Sequence, residues 1–185
     1  VSLIDDKLTE RVRKGDRNAF NIVIDNTIRS MLLTSLRVVG TLEDAEDIVQ
    51  DAYLKVWEKR GDIKRGGSLT GLIRRIVVNR CYDHLRKKKV RGFRLQEGQE
   101  RMIADIISDE CSDGEIEYNE FSEVLQAVTA RLSPVQRLVF VLSDIEGLSN
   151  DEICSASGLK SSAVKSNLWH ARNRVRSFLE KVYTK

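Results

Sequence analysis

Near the C-terminus, Lys165, Arg172, Arg174 and Arg176 are interleaved with Ser161, Ser162, Ser166, Trp169, His170 and Asn173. Short hydroxyls, an imidazole and an amide suit base edges, while Lys and Arg neutralise phosphates. The chemistry on offer is nucleic-acid recognition. A second set lies mid-chain: Asn79, Arg80, Asp83, Arg86 and Lys87, followed by Lys88, Lys89 and Arg91. It suits a phosphate backbone, with Asn79 as a base reader and Asp83 orienting its basic neighbours. The third set has the opposite sign. Glu43, Asp47, Gln50, Asp51 and Glu58 surround Leu54. An acidic rim around an apolar anchor fits docking to another protein and repels DNA.

Catalysis has no comparable set. The two histidines, His84 and His170, are far apart in the chain, no carboxylate cluster has metal-ligand spacing, and no nucleophilic triad stands out. No enzyme activity, metal or cofactor is expected. Cys81, Cys111 and Cys154 are an odd number without CxxC spacing, which reads as three small buried or half-buried thiols of a cytosolic protein. Apolar runs are too short to span a bilayer, and no apolar stretch follows a charged N-terminus, so cytoplasmic location without membrane insertion is expected.

The elements that position these sets follow from charge and period. The net charge of +3 hides a division. Residues 1–92 carry 20 basic and 13 acidic side chains, residues 93–120 carry 2 and 9, and residues 121–185 carry 9 and 6. Two basic, apolar-rich stretches flanking an acidic connector predict two small domains on a flexible tether. A single Pro and repeated i, i+3, i+4 apolar spacing predict an all-α protein. Asp5 starts a short helix closing at Gly15, Asp16 caps a second running to Val39–Gly40, and a third runs from Thr41 to Gly61. After a loop over 62–69, a fourth runs from Thr70 to Lys89, apolar on nearly every side in its first half. Beyond the connector, helices are predicted near 121–132, over 134–144 with Pro134 at its first position, over 150–157, and from Ser161 onward. The last two, joined through Gly158, have helix-turn-helix layout, with Val164, Leu168, Ala171, Val175 and Leu179 as the buried stripe of the second.

Together these residues resemble a bacterial RNA polymerase sigma factor of the sigma-70 family, of the extracytoplasmic-function (ECF, group IV) type. The stretch from Asp44 through Trp57, DAEDIVQDAYLKVW, is similar to region 2.2, and Asn79 through Arg86 to the segment that contacts the −10 element. Leu132-Ser133-Pro134 through Arg137, then Glu146 to Ser149 and Glu152-Ile153, resemble the opening of region 4. The resemblance implies two helical domains, a region 2 bundle over 1–92 and a region 4 helix-turn-helix over 121–185, joined by the acidic linker 93–120. It implies binding to core RNA polymerase, at the β′ clamp helices through Asp47, Gln50, Asp51 and Leu54, and at the β flap. Promoter DNA would be met at the −10 element by Lys64, Ser68, Asn79, Arg80, Arg86 and Lys87, and at the −35 element by Ser161, Ser162, Lys165, Ser166, Trp169, His170 and Arg172. An anti-sigma factor is a further expected partner. The sequence departs from the family at Leu69 and Leu72, where Phe and Trp are frequent, and at Asn167 and His170, which stand in place of arginines. The rival reading is a helix-turn-helix regulator that never binds polymerase; it requires a dimer interface and a palindromic site.

Overall fold

A computed structural model describes residues 6–64, 66–87, 129 and 131–183. Every regular element among them is helical. Helix α1 (Asp6–Arg13) runs into a turn at Gly15, whose φ of +88° an L side chain rarely adopts. Asp16 then caps α2 (Arg17–Val39): its carboxylate accepts from the Ala19 N–H and pairs with Arg11 at 2.8 Å. The Ala19 amide, and after it the Arg11 side chain, hold the Asp16 carboxyl below its ordinary value. That contribution is present at neutral pH and fades as pH falls through the lowered value. Gly40 stops α2 in the left-handed conformation, its N–H returning to the Leu36 carbonyl.

Helix α3 (Leu42–Glu58) carries Glu43 and Asp44 in its first turn, where the helix dipole favours acids. It ends before Gly61 because Arg60 folds back, its guanidinium 4.5 Å over the Trp57 ring and its Nη1 donating to the Trp57 carbonyl at 2.8 Å. A 3-10 turn, Arg60–Asp62, follows, and Ile63 is buried behind it. Helix α4 (Leu69–Lys87) opens one residue earlier than the sequence pattern indicates, since the Ser68 hydroxyl accepts the Gly71 N–H at 3.0 Å. Its expected end at Lys89, the connector 93–120 with Cys111, and most of the helix expected near 121–132 lie outside the described residues.

In the second module, Ser133 and Gln136 form a reciprocal capping box at the start of α5 (Pro134–Phe140), with Pro134 in the first turn. The single helix expected over 134–144 instead widens into a π-helical turn, Val141–Ile145. The Glu146 N–H reaches back to the Val141 carbonyl and the Leu148 N–H to that of Leu142, both at 2.9 Å. Helix α6 (Asn150–Ser157) has a second capping box, Ser149 with Glu152, and stops at Gly158 with φ +72°. Helix α7 (Ser161–Tyr183) completes the module.

The connector lies outside the described residues, and the two modules on either side of it are in contact. Helix α4 packs against α2 and α3 on one side and against α5 and α6 on the other. One apolar cluster runs through both modules, from Val23, Ile48 and Val56 through Ile73 and Val77 to Leu138, Leu142 and Ile153. This explains why the first half of α4 is apolar on nearly every side: Ile73, Val77 and Val78 are buried, and Leu72 and Ile76 pack against the cluster. Leu69, where the family often has a larger ring, is also buried. A polar contact joins the modules as well. Glu146 accepts from Thr34 Oγ1 at 3.1 Å and pairs with Arg37, both charges being largely withdrawn from solvent. Each partner satisfies the other where a lone charge would be costly. Of the thiols, Cys81 is buried and pushed up to about 12, so it stays protonated, and Cys154 is half-buried. No helix among the described residues is long and apolar enough to cross a membrane.

Candidate docking groove and nucleic-acid interface

Three faces emerge. The first is a groove of about 760 Å³ between α2 and α3. Its α3 wall is Val49, Gln50, Tyr53, Leu54 and Trp57; its α2 wall is Phe20, Ile24, Ile28 and Leu32; Arg17, Asn21 and Glu46 complete the lining. An internal bond fixes the walls. Thr27 Oγ1 donates to the Val23 carbonyl at 2.6 Å, which leaves its oxygen to accept from the Tyr53 hydroxyl, also at 2.6 Å. Burial pushes the Tyr53 hydroxyl up from its ordinary value, so it remains a donor. Phe20 meets Tyr53 edge-on at 6.3 Å and Trp57 at 5.1 Å between ring centroids. Leu54 is 56% exposed and Ile28 42%, large apolar side chains left open to solvent.

Of the four residues predicted for docking, Gln50 and Leu54 line this groove, while Asp47 and Asp51 are exposed on the same helix. The α2 wall was not among the predicted residues. Its signal was present in the surplus of apolar residues on α2, where Ile22, Ile24, Ile28 and Leu32 exceed what one buried face needs.

The second face is the α4 surface and the loop before it. Lys64, Arg86 and Lys87 are exposed; Asn79 and Arg80 are half-buried. Arg86 lies 5.7 Å from the Tyr82 ring centre, and Arg80 Nη1 is 3.3 Å from Asp51. Ser68 is exposed, but its oxygen already caps α4. Lys88, Lys89 and Arg91 lie outside the described residues.

The third face is α7. Ser161, Ser162, Lys165, Ser166, Trp169, His170 and Arg172 are all exposed, opposite buried Val164, Leu168 and Ala171. Val175 and Leu179, predicted for the same stripe, are half-buried. Trp169 is 62% exposed and meets His170 edge-on at 4.8 Å. Two side chains are already engaged. Arg172 is held in bidentate fashion by Asp144, Nε to Oδ2 at 2.9 Å and Nη2 to Oδ1 at 2.6 Å. Asn167 Nδ2 donates to the Ala163 carbonyl of its own helix at 2.8 Å. Lys165 has no acid within ion-pair distance among the described residues. The modules are packed together, yet the α7 face remains open.

Residues 28–91 match the family model described as Sigma-70 region 2, and residues 122–175 match Sigma-70, region 4. The chain is 31% identical to the ECF RNA polymerase sigma factor SigE of Mycolicibacterium smegmatis, over 78% of this chain and 55% of that protein. Thus it spans about half of that relative's length. It is 27% identical to the ECF RNA polymerase sigma factor SigW of Bacillus subtilis, over 94% of this chain and 95% of that protein. Two solved structures share the fold. CnrH in complex with the cytosolic domain of CnrY has a TM-score of 0.68 at 21% identity, covering 96% of this chain and 97% of that one. The sigma factor RpoE of Bartonella quintana, in complex with the anti-sigma factor NepR, has a TM-score of 0.61 at 22% identity, covering 87% and 96%. Helices α3 and α4 and the first two-thirds of α7 fall within the two matched regions, and the chain belongs to the sigma-70 family, as a factor of the ECF type.

Proposed function

We propose that this chain binds core RNA polymerase and directs it to promoters in the bacterial cytoplasm, with residues 1–92, 93–120 and 121–185 as region 2, linker and region 4. The observation that carries this reading is the apolar groove edged by Gln50 and Leu54, on the same module as a helix ending in exposed Arg86 and Lys87. A DNA-binding module alone has no need of an exposed apolar groove beside an acidic rim. The groove has the shape of a helix acceptor, which suits the β′ clamp helices, while region 4 meets the β flap. In the −10 element, Lys64, Arg80, Arg86 and Lys87 hold phosphates and Asn79 reads a base. Ser68 serves chiefly by capping α4. Opening the duplex and flipping a base costs a few kcal/mol, which the cationic α4 face offsets.

The −35 element is read as duplex by α7, with Ser161, Ser162, Ser166, Trp169 and His170 toward base edges and Lys165 toward phosphate. Arg172 shares its charge with Asp144, which takes Nε and Nη2 and leaves Nη1 to donate to phosphate, so it contributes less than its charge implies. Lys165→Ala is expected to weaken −35 duplex binding uniformly across sequences and to reduce the slope of log affinity against log salt by about 1. An unaltered slope in a salt titration shows that Lys165 touches no phosphate. An anti-sigma factor is the natural competitor for the groove, by likeness to RpoE, which was solved with one. Run-off transcription tests the whole reading. Promoter-specific transcripts that require both core polymerase and this chain are the expected result; no stimulation, with a symmetric operator occupied by a dimer, overturns it.

A further inference from the structure

The seam between α3 and α4 brings the acidic rim against the cationic helix. Arg80 Nη1 lies 3.3 Å from Asp51 Oδ2, and one turn along α4 His84 Nε2 lies 3.5 Å from Asp44 Oδ2. These contacts differ in accessibility. Asp44 and His84 are about one-fifth exposed, and Asp44 is also bonded by Thr41, so that contact belongs to the helix junction. Asp51 is 58% exposed and Arg80 39%, where the docking and DNA faces meet.

We propose that the Asp51–Arg80 pair couples the two faces: Asp51 occupies Arg80 in the free chain, and polymerase bound to the α3 rim draws Asp51 away, releasing Arg80 to a DNA phosphate. The inference rests on the reading of α3 as polymerase rim and α4 as DNA face. Its physical basis is competition for one guanidinium. Arg80 Nε is buried and has no hydrogen-bond partner among the described residues, so the group meets solvent only through its terminal nitrogens. Asp51 already holds one of those nitrogens. A phosphate approaching Arg80 must displace that carboxylate or accept its repulsion. An exposed ion pair is a weak restraint, which suits a bias of a few-fold rather than a lock. The coupling is reciprocal: DNA held by Arg80 leaves Asp51 available to polymerase.

The test uses the full chain without polymerase and a fluorescent single-stranded −10 oligonucleotide, with anisotropy recorded across a salt titration. Asp51→Asn is expected to tighten binding about 2- to 5-fold and to steepen the log–log salt slope by about 0.7, one further single-strand phosphate contact. Asp47→Asn removes the same charge from the same helix at a position with no ion-pair partner among the described residues; it should give a smaller gain and no change of slope. In an Arg80→Gln background, Asp51→Asn should give no gain. Equal gains from Asp47→Asn and Asp51→Asn, or a gain that survives Arg80→Gln, overturn the coupling while leaving the DNA face intact. Failure of every variant to bind at low salt overturns the DNA face and the coupling with it.

Discussion

Leu54→Asp is expected to weaken binding to core RNA polymerase by about 100-fold or more while leaving the fold intact. The two halves of that expectation have separate causes. Leu54 is 56% exposed, so it contributes little to the core and its loss costs little in folding. In the proposed complex the same side chain would be the centre of a desolvated patch, beside Ile28 and Trp57 of the groove lining. A carboxylate there loses its water without gaining a partner, and it joins Asp47, Asp51 and Glu58 on a helix that is already acidic. About 2.7 kcal/mol of interface energy corresponds to 100-fold in affinity. Leu54→Ala, which removes contact area without adding charge, should fall between wild type and Leu54→Asp. Titration of labelled chain with core enzyme measures all three, and circular dichroism checks the fold. Wild-type affinity for Leu54→Asp would place polymerase somewhere other than this groove.

What could be read from the sequence is what depends on near neighbours. Asp16 three residues before Ala19, Ser149 three before Glu152, and Gly40 and Gly158 just past apolar stripes are local signals. The structure places a cap or a stop at each. The exposed face of α7 was likewise legible, because the 100° step that buries Val164, Leu168 and Ala171 also exposes Lys165, Trp169 and His170. Contacts between distant elements were not. Period identifies a buried face but not the partner that buries it, so the apolar surplus of α2 marks an additional apolar face without showing that Ile24, Ile28 and Leu32 stand opposite α3 as the second wall of the groove. Nor does spacing reveal that Asp144 claims Arg172 or that Glu146 meets Thr34 and Arg37. Ser68 shows the same limit at short range: its place beside a Gly-rich loop does not reveal that its oxygen accepts the Gly71 N–H, a bond that leaves its own O–H to donate elsewhere.

The clearest consequence of a distant contact concerns stability. Ile73→Ala is expected to cost about 2–5 kcal/mol, the range for truncating a fully buried aliphatic side chain. That lowers the melting temperature by roughly 4–20 °C for a chain of this size. Ile73 has no exposed surface, and it sits on α4, which packs against α2, α3, α5 and α6. The cavity therefore opens inside a cluster shared by both modules. Were the modules independent bodies on a tether, the loss would fall on α2, α3 and α4 alone. With a continuous core, stability lost at Ile73 is also lost to α6, whose own buried surface is small: Ile153 and Ala156 are its buried apolar residues, in a helix of 8. Hydrogen exchange distinguishes these cases. Amide protection in α6 should fall together with that in α2 and α3, and Ile153→Ala should reproduce the pattern from the other side. Protection of α6 that stays at its wild-type level while α2–α4 open would mean that α4 stabilises the first module only, and that packing between the modules adds nothing to either.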